Sequence, residues 1–147
     1  MVQLPEDIVE DLENNPDDAS RSALPVGHYL LEVVEIKEEP ASTRAGTSGF
    51  GKLLVVSKVV QPRAHKGHKV WDRLSYSPQA RWKLRSFYDA VGYEYSSDTD
   101  EIVEAKEQFV AYMEAEIIEN GAKKGQLGDN VSEMLPATEE NLSVVDD

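Results

Sequence analysis

Alternating apolar and polar residues predict five β-strands along the chain, three before a helical segment and two after it. The first three strands are predicted over residues 28–37, 52–60 and 68–75, which are rich in β-branched and aromatic side chains. The last two are predicted over residues 109–118 and 127–135. Apolar side chains on both faces of the first strand indicate a strongly curved sheet or a barrel.

A change of period after the third strand predicts one α-helix. Ser77 is expected to cap its N-terminus, Pro78 to occupy its first position and Gly92 to end it. Apolar residues recur between these signals at helical spacing, namely Ala80, Leu84, Phe87, Tyr88 and Val91. A short acidic segment then separates this helix from the fourth strand.

This order of elements, three strands, one helix and two strands, is that of the OB-fold, a partly open Greek-key barrel. We therefore predict a mainly β protein, a five-stranded OB-fold-like barrel with one helix between the third and fourth strands. The barrel domain is expected to span residues 24–136. Residues 1–23 are expected to form a flexible acidic arm and residues 137–147 an acidic C-terminal tail, both disordered.

The composition excludes several classes of protein. The 147-residue chain has no cysteine, and so no disulfide, thiolate metal site or cysteine nucleophile. Its longest uncharged apolar run, residues 53–56, is far shorter than the ~20 residues that span a bilayer. Residues 1–18 are acidic where a secretory signal would be basic. We expect a cytoplasmic protein that does not bind membranes.

The charge is distributed unevenly along the chain. The formal net charge is −13, but residues 41–90 carry ten basic side chains against two acidic ones. Residues 1–40 and 91–147 are both strongly acidic. Because a concentrated block of charge indicates a local binding surface, the middle third is expected to attract phosphates.

Signatures of catalysis and of cofactor binding are weak. Gly46–Lys52 has the spacing of a phosphate-binding P-loop, but Leu53 stands where such a loop needs Ser or Thr, and a strand is predicted where a helix should follow. His65 and His68 could ligate a metal, yet the neighbouring lysines favour a solvated basic turn. Neither histidine belongs to a nucleophile–base motif. We expect no enzyme activity, no metal and no cofactor.

Aromatic residues interleave with the basic ones in the middle third. Lys69, Trp71 and Arg73 alternate onto one strand face, and proteins that bind single strands combine such cations with exposed rings that stack on bases. Tyr112, facing outward on the fourth strand, is a second stacking candidate. The predicted DNA-binding residues are Phe50, Lys52, Arg63, Lys66, Lys69, Trp71, Arg73, Tyr76, Arg81, Arg85 and Tyr112.

Structural roles are the alternative for several of these residues. Trp71 could cap the barrel core, and the helix cations Arg81, Lys83 and Arg85 could form only a solvated face. Trp82 and Tyr88 are interpreted as packing residues of the helix. The acidic tail could occupy the cationic surface weakly and leave it when DNA binds, or it could serve solubility alone.

Short motifs resemble a family of bacteriophage proteins long described only as a domain of unknown function. They are Leu24–Tyr29, Gly67–Asp72, Ala90–Gly92 and Asn130–Ala137, and the resemblance spans roughly residues 24–137. The family is regarded as single-stranded DNA-binding proteins with an OB-fold, encoded near phage replication and recombination genes. The resemblance implies that Gly67–Arg73 faces DNA. The chain ends Val145-Asp146-Asp147, without the aromatic tip that recruits partners in many single-strand binders.

The leading hypothesis is therefore sequence-independent, non-enzymatic binding of single-stranded DNA in phage replication or recombination. The protein would act in the cytoplasm of the host cell and could meet replication or recombination proteins through its acidic tail. The sequence also allows a homo-oligomer. The alternative is an acidic protein-interaction module, such as a DNA mimic that inhibits a host enzyme. That alternative requires the ordered core, rather than the arms, to carry the negative charge.

Overall fold

A computed structural model of the chain describes residues 3–7, 9, 23–41, 50–118 and 125–147. Most of the predicted N-terminal arm lies outside the described residues, as do residues 46–49 of the glycine-rich segment. At the start of the chain, the Val9 amide donates to the Pro5 carbonyl at 3.1 Å, as in one helical turn.

A five-stranded antiparallel sheet forms the body of the protein, with a short two-stranded hairpin beside it. The strand order in the main sheet is β3-β2-β1-β4-β7, and β5 pairs with β6 in the hairpin. The strands are β1 (Gly27–Glu39), β2 (Lys52–Gln61), β3 (Lys69–Ser75), β4 (Gln108–Met113), β5 (Glu116–Ile117), β6 (Leu127–Gly128) and β7 (Val131–Pro136). The prediction of a mainly β fold on a five-stranded sheet is confirmed.

The sheet curls around one core because β1 is long and irregular. This 13-residue strand pairs with β2 along most of its length and with β4 over its first half. Its register against β2 shifts between Leu30 and Leu31 and again between Val33 and Glu35, and such bulges increase the twist and bend of a strand. The curled sheet forms a half-barrel. Its interior contains the fully buried Leu31, Val33, Val59, Val70, Leu74, Phe87, Ile102 and Met113.

Two helices, rather than the single predicted one, connect β3 to β4. They are α1 (Arg81–Val91) and α2 (Thr99–Glu104). The prediction missed α2 because its six residues are too few to show a periodic pattern. Its N-terminus carries a clear signal nonetheless, since the Asp98 carboxylate accepts from the Asp100 amide at 2.9 Å.

The helix α1 starts later than predicted and ends where expected. Ser77 and Pro78 form a turn, in which the Ala80 amide donates to the Ser77 carbonyl at 3.0 Å, so Ser77 is not the N-cap. Gly92 ends the helix in the left-handed conformation, at φ 77°, which glycine adopts at little cost. Phe87, Tyr88, Ala90 and Val91 are the buried residues of α1.

The open side of the half-barrel lies between the edge strands β3 and β7. The helix α1 contacts both of these strands and fills the space between them. At one end of the gap, His68 Nε2 lies 2.8 Å from Asp129 Oδ2, which joins the residue before β3 to the turn before β7. The gap is thus closed by side chains and a helix rather than by strand pairing.

The C-terminal segment is ordered, contrary to the prediction of a disordered tail. After β7 the chain forms a short helix, α3 (Glu139–Leu142), capped by the Thr138 hydroxyl. Val145 is only 7% exposed and packs with Leu30 and Val110 on the outer face of the sheet. Leu30 and Val110 point away from the barrel core, so the C-terminal segment covers a second, smaller apolar cluster.

The predicted strand 109–118 is interrupted. The strand β4 ends at Met113, and the chain then leaves the main sheet to form the β5–β6 hairpin. Ile117 lies in that hairpin and is exposed. No helix within the described residues is long and apolar enough to cross a lipid bilayer.

Candidate functional site

The strand β3 presents two different faces. Val70 and Leu74 point into the core, and Lys69, Trp71 and Arg73 alternate with them onto the outer face. Trp71 is 54% exposed, so the alternative in which its indole caps the barrel core is wrong. An indole exposed to this extent between two cations is available to a ligand.

The neighbouring strand β2 extends this surface. Lys58 lies opposite Lys69 in the ladder, and Lys52 lies opposite Ser75 at the other end of the strand pair. Directly opposed residues of an antiparallel pair share a face, so both lysines lie on the same side as Trp71. We call this surface the β2–β3 face and define it by Lys52, Lys58, Lys69, Trp71 and Arg73. Lys58 is absent from the predicted site, although alternation from Lys52 could have identified it.

Carboxylates of β1 border the β2–β3 face and neutralise part of it. Arg73 Nε donates to Glu39 at 3.0 Å, and Lys58 Nζ lies 3.4 Å from Glu32. The sequence assigned these glutamates to the acidic first 40 residues. Because β1 pairs with β2, folding places them beside the cations. The resulting surface has alternating charge rather than a uniform positive potential.

Two further cations, Arg63 and Lys66, lie in the connection between β2 and β3, next to the N-terminal end of β3. Arg63 lies in a 3-10 helix (Arg63–His65) and Lys66 follows it directly. Both side chains are exposed, and neither forms a salt bridge within the described residues. They extend the line of cations beyond Lys69.

Two aromatic residues lie at the opposite end of β3. Phe50 is 43% exposed, just before β2. Tyr76 is partly buried, and its hydroxyl donates to Glu38 Oε2 at 3.0 Å. Burial, together with this carboxylate, raises the pKa of Tyr76 to about 12. Gly51 packs closely on the Tyr76 ring, since a Cβ at that position would lie 3.3 Å from ring atoms. Tyr76 is therefore held in place rather than free to stack.

The cations of α1 divide into two groups. Arg81 and Arg85 are exposed, and Arg81 Nε donates to the Tyr76 carbonyl at 2.7 Å. Lys83 points the other way and donates to Asp72 at 2.7 Å. Burial raises the pKa of Asp72, while the Lys83 charge opposes that shift. Lys83 is therefore a partner of a buried carboxylate and not part of a solvated face.

A cavity of about 460 Å³ lies beside Arg81 and Arg85. It opens between α1, the neighbouring ends of β1 and β2, and the loop after α1. Tyr88 and Tyr95 meet within this lining with ring centroids 5.9 Å apart and planes at 84°. The residues that line the cavity are Glu38, Leu53, Tyr76, Arg81, Leu84, Arg85, Tyr88, Tyr95 and Thr99. Three of these residues, Tyr76, Arg81 and Arg85, belong to the predicted DNA-binding set, but the sequence does not predict a cavity.

The predictions for Tyr112, Trp82 and Tyr88 have different outcomes. Tyr112 faces outward on β4 and packs against His28 with ring centroids 4.8 Å apart. Since β1 and β2 separate β4 from β3, the structure does not bring Tyr112 together with Trp71. Trp82 is 57% exposed, so its interpretation as a packing residue is wrong, whereas Tyr88 is buried as predicted.

The other candidate chemistries have structural explanations. Lys52 begins a β-strand, whereas the lysine of a phosphate-binding P-loop lies at the start of a helix. His68 is paired with Asp129, and the His65 ring packs edge-on against Tyr29. Among the described residues, no group of three or more histidine and carboxylate side chains could hold a metal ion.

Two comparisons of the sequence found no match. No protein-family model matches the chain. No curated protein sequence matches it significantly. The function is therefore inferred from the β2–β3 face and the cavity beside α1.

Proposed function

We propose that this protein is an OB-fold protein that binds single-stranded DNA without sequence preference and has no enzyme activity. The strand order supports the fold assignment. Strands β1 to β4 and β7 follow the order of an OB barrel opened between its third and last strands, and the connection between the third and fourth strands contains α1. In OB-folds, the face of the second and third strands is where oligonucleotides bind.

The exposed indole of Trp71 is the observation that carries this proposal. A ring that is 54% exposed in the middle of a strand gains burial only when a ligand covers it. Stacking on a base contributes about 1–3 kcal/mol and does not depend on which base is present. Lys69 and Arg73 flank the ring on the same face, where they can contact the phosphates on either side.

The spacing of the cations fits an extended strand of DNA. At ~3.3 Å per residue, the side chains of Lys69 and Arg73 are about 13 Å apart along β3. Lys66 and Arg63 extend this line at one end, and Lys52 and Phe50 extend it at the other. Binding through such contacts releases counterions, so we expect affinity to fall steeply as salt concentration rises.

The biological setting of the proposal comes from the phage resemblance of residues 24–137. We propose on that basis a role in DNA replication or recombination in the cytoplasm of a host cell. Replication or recombination proteins are the proposed partners of the C-terminal segment. A self-shielding role of this segment is less well supported, because Val145 packs beside β1 and β4 rather than on the β2–β3 face.

Two single-tryptophan variants test the proposal. Both tryptophans are exposed, so the wild-type fluorescence mixes their signals. Trp82→Phe leaves Trp71 as the only indole, and Trp71→Ala leaves Trp82. Titration with an oligothymidine at 50 and 300 mM salt should quench W82F strongly, and affinity should decrease at the higher salt. W71A should bind at least about tenfold more weakly, as the loss of one stacking contact implies.

The matched variant supplies the control. Trp82 lies on α1, so W82F should keep the wild-type affinity as measured by anisotropy of a labelled oligonucleotide. Equal binding by W71A and W82F would remove the role of the β2–β3 face. A lack of binding by both variants and by the wild type at 50 mM salt would refute single-strand binding altogether.

A protein-interaction module that mimics DNA is the second candidate, and one observation favours it. The acidic C-terminal segment is ordered on the domain, and Glu32 and Glu39 lie on β1 in the sheet, so the folded core carries negative charge. Removal of residues 138–147 distinguishes the two candidates. A DNA binder keeps or gains affinity for oligothymidine, whereas a mimic loses affinity for a basic DNA-binding protein.

A further inference from the structure

The cavity beside α1 has the size and shape of a small-molecule site. Its volume of about 460 Å³ lies within the ~300–1,000 Å³ range of such pockets. Apolar side chains and phenol rings form most of its walls, and a few polar groups lie among them. The cavity lies near the C-terminal end of β3, whereas Arg63 and Lys66 lie near the N-terminal end. It is outside the β2–β3 face.

Its two arginines are arranged to bind one phosphate group. Arg81 and Arg85 are one helical turn apart, so their Cβ atoms lie about 5–6 Å from each other on the same side of α1. The Arg81 Nε bond to the Tyr76 carbonyl orients that guanidinium and leaves its terminal nitrogens for a ligand. Neither arginine forms a salt bridge within the described residues.

The charge of the lining also suits a single phosphate. The lining contains two guanidinium groups and one carboxylate, Glu38, which already accepts a hydrogen bond from Tyr76. Asp89, four residues after Arg85 on α1, accepts from the Tyr95 hydroxyl at 3.0 Å. A di- or triphosphate would bring more negative charge than two arginines can neutralise beside these carboxylates.

The rest of the lining fits a planar heterocycle. Tyr88 and Tyr95 present rings at nearly a right angle, which offers one face and one edge to a bound ring. Leu53 and Leu84 complete the apolar wall. Glu38 retains lone pairs that can accept a hydrogen bond from an exocyclic amine or a sugar hydroxyl.

We propose that this cavity binds a nucleoside monophosphate unit, with the phosphate on Arg81 and Arg85 and the base against the tyrosine rings. The unit can be a free mononucleotide or the phosphorylated terminal nucleotide of a DNA strand. Only binding of a terminal nucleotide rests on the proposed function, because the rest of the DNA strand would then continue along the β2–β3 face.

Isothermal titration of the full chain with deoxyadenosine monophosphate tests the site itself. The nucleotide should bind at least tenfold more tightly than deoxyadenosine or inorganic phosphate, because each of these fills only part of the cavity. Arg85→Gln should weaken nucleotide binding about tenfold or more, and Arg63→Gln, at the far end of β3, should not. Arg85 is exposed, and thermal unfolding should confirm that R85Q remains folded. A lack of nucleotide binding at millimolar concentration, or equal binding by R85Q, would overturn the proposal.

Oligothymidines with a 5′-phosphate, a 3′-phosphate or no terminal phosphate distinguish the two sources. If the protein prefers an oligothymidine with a phosphorylated end and R85Q abolishes this preference, the cavity binds the ends of DNA strands. Nucleotide binding without such a preference assigns it to free mononucleotides. The wild-type protein separates this inference from the proposed function. If it binds deoxyadenosine monophosphate but no oligothymidine at 50 mM salt, the proposed function has failed and the cavity remains a nucleotide site.

Discussion

His68 Nε2 lies 2.8 Å from Asp129 Oδ2 and connects the two edge strands of the sheet. The other oxygen of the same carboxylate, Oδ1, accepts from the Leu24 amide at 2.6 Å. Asp129 therefore joins three parts of the chain that are distant in sequence, namely the entry to β1, the entry to β3 and the turn before β7. It closes one end of the half-barrel where strand pairing is absent in the described structure.

Because Asp129 forms both of these hydrogen bonds and His68 only one, replacing them should lower the free energy of unfolding by different amounts. Asp129→Ala removes both hydrogen bonds and leaves the Leu24 amide unpaired, so it should lower the free energy of unfolding by about 2–3 kcal/mol. His68→Ala removes only one bond and should cost about 1 kcal/mol. Urea unfolding measures both values, with the exposed Glu133→Ala on β7 as the control. Equal effects of D129A and H68A would show that the Leu24 contact contributes nothing.

The buried pair of Asp72 and Lys83 attaches α1 to β3. Lys83→Met leaves the Asp72 carboxylate buried without its partner and should cost about 2 kcal/mol of unfolding free energy. The double variant Asp72→Ala/Lys83→Met removes both charges and should be more stable than K83M alone. Chemical denaturation of the three proteins tests this order. A double variant less stable than K83M would contradict it.

The same pair predicts a pH dependence with a defined sign. Burial raises the pKa of Asp72 above its unfolded value, so its ionisation opposes folding as pH rises through the folded pKa. Loss of the Lys83 charge raises that pKa further. The stability deficit of K83M relative to wild type should therefore be larger at pH 7 than at pH 5. Denaturation curves at the two pH values check this, and a deficit independent of pH would refute it.

Glu39 holds Arg73 at one edge of the β2–β3 face. Arg73 Nε lies 3.0 Å from the Glu39 carboxylate. Glu39→Gln removes that negative charge and the ion pair with Arg73, so single-stranded DNA should bind about threefold more tightly. Lys69→Gln should instead weaken binding and lower the slope of log K against log salt by about 0.7. Fluorescence anisotropy at several salt concentrations measures both effects. Glu104→Gln, on α2, provides the control for a change in net charge alone.

Two adjacent valines near the C-terminus offer a matched test of the docked segment. Val145 is buried against Leu30 and Val110, whereas Val144 is 53% exposed. Val145→Asp should lower the unfolding free energy by about 2 kcal/mol and speed hydrogen exchange in residues 142–147. Val144→Asp should change stability by less than about 0.5 kcal/mol. Similar behaviour of the two variants would show that the segment is not docked in solution.

Local patterns predicted most of the elements. The alternation of Lys69, Trp71 and Arg73 with Val70 and Leu74 placed the indole on the outer face, and the structure agrees. Gly92 ended the helix as expected. Such features depend on neighbours within a few residues, because side-chain alternation and helix termination are set by local backbone geometry.

Ambiguous local signals produced the errors. Ser77 and Pro78 are equally compatible with a turn and with a helix start, and the structure contains the turn. Trp82 shares the helix with the core-facing Leu84 and Phe87, which favours a packing role, but its position on α1 leaves it exposed. The short helix α2 has a capping aspartate, yet six residues are too few for periodicity to identify it.

The sequence by itself determined where the first three strands lie, where α1 ends and which face of β3 carries Trp71, since these depend on side chains close together along the chain. The tertiary structure alone decided which distant residues meet. Strand order placed Glu39 beside Arg73, brought Asp129 to His68 and assembled the cavity from α1 and the ends of β1 and β2. It also gave Val145 an apolar surface to cover. Contacts between residues that are about 30 to 115 positions apart in the sequence depend on sheet register and chain reversal, and no local pattern encodes these.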